Sequence, residues 1–213
     1  MRIVASICLG VLLASCNMVT SDTPLFSSAD SHGQAQFRSG VWMDEAKGCI
    51  VDTAKPIGEW PDCADAWVVH PGEMLAGRDA KAPASTWQHY KTLLVGGDPA
   101  VMQIEVDDES DGRKGYVYAG VRALKTDTQG RIIEYKAWLA LCGPPPKPDP
   151  TSDESAAVVS DQLFAGLVVD KDKQDCIASA QGPVRVAVAR SEALNGDDNG
   201  GRDTARWIRD GDR

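Results

Sequence analysis

The sequence predicts an α+β fold: mainly antiparallel β-sheet, one or two short helices, and two disulfides. Three observations carry this. Residues 87–141 form four period-two segments joined by short turns, which reads as a meander. Residues 183–194 place apolar side chains on one helical face. Four cysteines remain once Cys8 and Cys16 near the N-terminus are set aside.

Composition narrows the class of function. The 213 residues are 43% hydrophobic and 25% charged, as in ordinary globular chains. The 31 acidic residues against 22 basic ones give a net charge of −9. Nucleic acid is excluded as a partner, because its phosphates would have to be neutralised by clustered Lys and Arg.

The leader comes first in the chain. Arg2 is followed by an apolar run from Ile3 to Leu13. The run falls short of the roughly 20 residues that a spanning helix needs and has the length of a signal-peptide core. It ends in Leu13-Ala14-Ser15-Cys16. This motif resembles the lipobox of bacterial lipoproteins. The resemblance implies a signal peptide over 1–15, cleavage between Ser15 and Cys16, and acylation of Cys16 as a membrane anchor. Several acyl chains on one residue hold firmly where a single chain is marginal. Asn17, rather than Asp, after that cysteine directs the expectation to the outer membrane, facing the periplasm. Residues 16–36, rich in Ser, Asp, Gly and Gln, then read as a lipidated flexible tether. Residues 37–213 read as one globular domain.

The domain opens with a strand near 39–44 that contains Gly40-Val41-Trp42. The triplet resembles the G-x-W of lipocalins, which implies a barrel that binds a small apolar ligand. Cys49, Cys63, Cys142 and Cys176 allow three pairings. Cys49–Cys63 and Cys142–Cys176 are favoured because each closes a turn-rich loop, and each contributes about 3–4 kcal/mol by loop entropy. No C-x-x-C occurs and no His has ligand spacing to a cysteine, so no zinc site is expected.

The meander follows. Trp87–Val95 alternates, Gly96-Gly97-Asp98-Pro99 turns the chain, and Val101–Val106 returns. Tyr116–Leu124 and Arg131–Leu141 are the third and fourth strands, joined at Asp127-Thr128-Gln129-Gly130. A proline-rich connector over 143–150 can be neither helix nor central strand. Ala156–Phe164 is expected as a short helix and Leu167–Val169 as a strand. Pro183 suits a first helical position and opens the helix to Leu194. Thr204–Arg209, with Trp207, is the last strand. The six tryptophans are expected in core and sheet-face packing.

Candidate chemistry is sparse. G-x-S-x-G, H-E-x-x-H, S-x-x-K and the phosphate-binding loop pattern are all missing, and no cofactor is expected. His32 lies in the tether, which leaves His70 and His89 as candidate bases. Asp107, Glu109 and Asp111 resemble the start of a calcium loop, but Tyr118 stands where the twelfth-position Glu belongs. The catalytic residues are therefore unknown. The expected function is a lipid-anchored envelope lipoprotein with a non-catalytic binding or structural role, contacting the membrane and an envelope protein. The alternatives are a lipocalin-like binder and a hydrolase in which His70 or His89 meets a carboxylate and a serine.

Overall fold

Period-two alternation does form strands across the centre of the chain, but those strands belong to a ring. The computed structural model describes residues 17–45, 48–76, 86–107, 114–145, 159–170, 175–194 and 203–211. In chain order the strands are β1 (Val19–Ser21), β2 (Gly40–Glu45), β3 (Ala64–His70), β4 (Glu73–Ala76) and β5 (Gln88–Val95). Then come β6 (Ala100–Asp107), β7 (Lys114–Thr126), β8 (Ile132–Leu139), β9 (Leu167–Asp170) and β10 (Asp175–Ala178). Helix α1 (Gln181–Leu194) and β11 (Asp203–Arg209) follow, and short 3-10 turns lie at Ser28–Ser31 and Ile57–Glu59.

Strands β2 to β8 pair with their sequence neighbours, and β11 lies between β8 and β2. Because β6 also pairs with β7, the sheet closes. Every pair in the ring is antiparallel. The described residues thus form an eight-stranded antiparallel β-barrel with one α-helix and two disulfides, and the expected α+β sheet is corrected to a mostly-β closed barrel. The meander strands were read within a few residues of their ends. What overturns the class is β11, which carries the final strand back against β2 and removes both edges.

The wall is covered from outside in two places, which is why several strands are apolar on both faces. Val41 and Met43 of β2 and Ala64, Ala66 and Val68 of β3 face out onto Ile57, Trp60 and Trp87. The Cys49–Cys63 disulfide holds the loop that supplies Ile57 and Trp60. On the second side, Val101, Tyr118 and Trp138 face Phe26, Val184, Ala187 and Val188. Gly120 stands opposite Trp138 in the β7–β8 register. A side chain there would come within 2.3–2.5 Å of three indole atoms, so glycine lets the ring lie flat across β7. The Trp138 indole N–H then donates to the Val188 carbonyl of α1 at 2.9 Å. Arg122 adds a fork to Glu192 at 2.7 and 2.8 Å and a third bond to Asp98 at 2.7 Å, which ties the helix to the barrel.

Two further expectations are corrected. The helix expected over 156–164 is not formed in its described part. There Phe164 N–H donates to the Cys142 carbonyl and Gln162 N–H to the Ser160 hydroxyl, so local partners replace the helical ladder. The segment expected as a tether, 16–36, is packed into the body from Asn17 onward. Val19 is fully buried and Phe26 nearly so, and β1 lies between β7 and β10. Polar composition misled here because three residues of strand suffice when a neighbouring edge is waiting for them.

Acid should loosen the barrel in a defined way. Burial pushes the Asp127 carboxyl up, but bonds from the Arg131 side chain and from the Arg131 and Gln129 amides outweigh it and hold Asp127 below its ordinary 3.8. The Lys114 ammonium holds Glu105 below its ordinary 4.5, against the opposing effect of burial. Both folded values lie under the unfolded ones, so this stabilisation is present above the ordinary values and lost as pH falls through the folded values. Urea midpoints should therefore fall steeply below about pH 4, and less steeply in Asp127→Asn. Identical acid limbs in the two proteins would rule this contribution out.

Candidate functional site

The barrel interior is built by the inward member of each alternating pair. Trp42, Trp67, Val69, Ala76, Tyr90, Leu94, Met102, Val121, Tyr135 and Ala205 come from all eight ring strands and form one buried cluster. At the end where β2 begins, the chain before it closes the barrel. Phe37 bridges Ile132, Ile132 N–H donates to the Gln36 carbonyl at 2.8 Å, and Arg38 N–H donates to the Ile132 carbonyl at 2.9 Å. Phe37, Trp42 and Tyr135 pack as a floor, with ring centroids 4.8–5.7 Å apart. The Trp42 indole N–H donates to the Arg38 carbonyl at 2.9 Å. The Arg38 guanidinium lies 3.5 Å above the Trp207 ring and pairs with Asp210 at 3.1 Å, which seals this end.

The opposite end differs. There the inward positions Asp44, Asp65, Val106, Val117 and Leu139 are only half-buried. The interior is a buried apolar cluster over an aromatic floor, and its inward side chains at this end are in touch with solvent. Asp44 and Asp65 face each other across β2 and β3, one rung above the Trp42–Trp67 pair. The carboxylates therefore lie on one side of the wall, and Val106, Val117 and Leu139 on the other.

One buried polar atom in this cluster stands out. Trp67 is 3% exposed, and its indole N–H has no hydrogen-bond partner among the described residues. A buried donor without a partner costs about 1–3 kcal/mol, so such groups are uncommon in folded proteins. The neighbouring Tyr90 hydroxyl, by contrast, donates to Gln88 Oε1.

The residues singled out in the sequence are dispersed. Ser15 and Cys16 lie outside the described residues. Cys49–Cys63 and Cys142–Cys176 are both formed, each with Cα atoms 5.7 Å apart. His89 Nδ1 lies 2.9 Å from Glu73 Oε1, and His70 is opposite Glu73 in the β3–β4 register. This group sits on the outer wall, where His89 is exposed, and not among the inward side chains. Asp107 ends β6 and is exposed, while Glu109 and Asp111 lie outside the described residues. Among the described residues no three metal-ligating side chains come together.

Sequence reasoning missed Trp67, Asp44 and Asp65 as a group. Alternation in Ala64–His70 was the available signal, but both faces of β3 are apolar, so neither face identified itself as the lumen. No protein-family model, characterised protein or solved structure matches the chain.

Proposed function

We propose that this chain is a lipid-anchored envelope protein whose barrel holds a small, uncharged, largely apolar ligand without transforming it. The observation that carries the reading is a closed ring of strands around an apolar interior, with an aromatic floor and with Val106, Val117 and Leu139 half-exposed at the other end. Gly40-Val41-Trp42, the triplet similar to that of lipocalins, begins the first ring strand and supplies the floor. The unpartnered Trp67 indole offers a hydrogen bond to an acceptor on such a ligand. The Leu13-Ala14-Ser15-Cys16 lipobox supports the anchor and, with it, placement on the outer membrane facing the periplasm.

The test is titration with N-phenyl-1-naphthylamine, an uncharged dye that brightens in apolar surroundings. A saturable rise with a Kd on the order of 1 μM, equivalent to about −8 kcal/mol, is expected. Ala137→Phe would add bulk to the interior from the β8 side and should weaken binding at least about tenfold, a loss of about 1.4 kcal/mol. A linear, unsaturable response, or full binding by Ala137→Phe, would refute the lumen as the site.

A further inference from the structure

We infer that the folded body is seated directly on the bilayer, with no spacer, through the surface that surrounds Asn17. The inference rests on the reading of Cys16 as the lipidated residue and adds to it the distance and the face. A polar tether of twenty residues would let the body wander about 25 Å from its anchor. Such a tether is ruled out by where the fold begins.

Asn17 is 5% exposed and has a φ of 95°, a left-handed conformation that Asn tolerates better than most residues. Its side chain donates to the Gly143 carbonyl at 3.2 Å and accepts from Ser160 N–H at 3.0 Å. Its carbonyl accepts from Cys142 N–H at 2.9 Å. The next residues are held as tightly. Met18 N–H donates to Asp175 Oδ1 at 3.1 Å, the Met18 carbonyl accepts from Cys176 N–H at 3.0 Å, and Val19 N–H donates to the Ala140 carbonyl at 2.8 Å. The Cys142–Cys176 disulfide joins the two segments that grip Met18. From Asn17 back to Cys16 is a single peptide unit, about 3.8 Å between Cα atoms.

Acyl chains on Cys16 therefore bring the bilayer to the residues around Asn17: the 143–145 turn, the 160–162 segment, and the ends of β9 and β10 at Asp170 and Asp175. Pro145, Asp161 and Gln162 are exposed there. A body gripped at its first residue cannot swing, so its orientation to the membrane is set. The 127–130 turn lies at least roughly 20 Å further along β7 than the rungs that hold β1.

The experiment uses the full chain, expressed with its own leader in a Gram-negative host and reconstituted into phosphatidylethanolamine–phosphatidylcholine vesicles carrying a headgroup nitroxide. A fluorophore is attached at Gln162→Cys or, separately, at Gln129→Cys, and acylation is read by labelled palmitate. Quenching at 162 should exceed that at 129 at least about threefold, and inserting fifteen Gly/Ser residues between Cys16 and Asn17 should erase the difference. Palmitate incorporation with equal quenching at the two sites overturns the inference and leaves the anchor reading standing. No incorporation, with Cys16→Ala behaving as the parent chain, overturns the anchor reading and the inference with it.

Discussion

Replacing Cys142 and Cys176 together by serine is expected to cost about 4 kcal/mol of unfolding free energy, by the loop-entropy relation for a 34-residue separation. The same relation assigns about 3 kcal/mol to Cys49–Cys63, whose separation is 14. The larger value belongs to the bridge that holds the most distant parts together. Cys142 follows β8 and Cys176 lies in β10, and the chain entering β1 is threaded between them through Met18. Both half-cystines are fully buried beside Val19 and Val184. Urea unfolding of the two double-serine variants, followed by tryptophan fluorescence, checks the order. A Cys142→Ser/Cys176→Ser loss below about 1 kcal/mol, or one smaller than for Cys49→Ser/Cys63→Ser, would show that unfolded-chain entropy does not set the difference.

Trp42→Ala should cost about 3–5 kcal/mol, the range for deleting a buried aromatic ring from a core that cannot collapse. Trp42 is fully buried, stands opposite Trp67 on β3 and Trp207 on β11, and packs on Phe37 and Tyr135. It therefore touches the seam where the first and last ring strands meet. Deleting it also strips the Arg38 carbonyl of its donor. Trp42→Phe keeps most of the ring and loses the N–H, and should cost about 1–2 kcal/mol. The expected signature is a lower urea midpoint at unchanged slope, since the exposed surface stays the same. A midpoint within error of the parent for Trp42→Ala would mean that the floor does not hold the seam.

How much of this was legible depends on the distance over which each feature is decided. The β5–β8 strands were legible because alternation and turn chemistry are local: Gly96-Gly97-Asp98-Pro99 and Asp127-Thr128-Gln129-Gly130 each turn the chain where it does turn. Helix α1 was legible from its apolar face, since Val184, Ala187, Val188 and Ser191 are its buried side chains. Closure was not. The β2–β11 pairing joins Trp42 to Trp207, and nothing near either residue specifies the other. The lumen was hidden for the same reason, because an inward face exists only once the ring is complete.

Strand β1 shows the limit most plainly. Val19–Ser21 is too short to display a period. It is a strand because β8 leaves the edge of β7 near Ala140 and exposes pairing groups at Tyr116 and Val117, which Ser21 and Thr20 take up. A polar sequence that looks like tether in isolation becomes ordered when a bare edge needs partners.

The amino-acid sequence alone determined the acidic character, the expectation of two disulfides among four cysteines, and the elements whose periodicity is complete within about a dozen residues. Only the tertiary structure decided that the strands form a ring, that its apolar interior is floored by Trp42 and Tyr135, which cysteines pair, and that the chain is gripped from Asn17. Local preference acts through neighbouring backbone and side chains. Ring closure and edge pairing depend instead on burying apolar faces and satisfying hydrogen bonds between segments far apart in the chain.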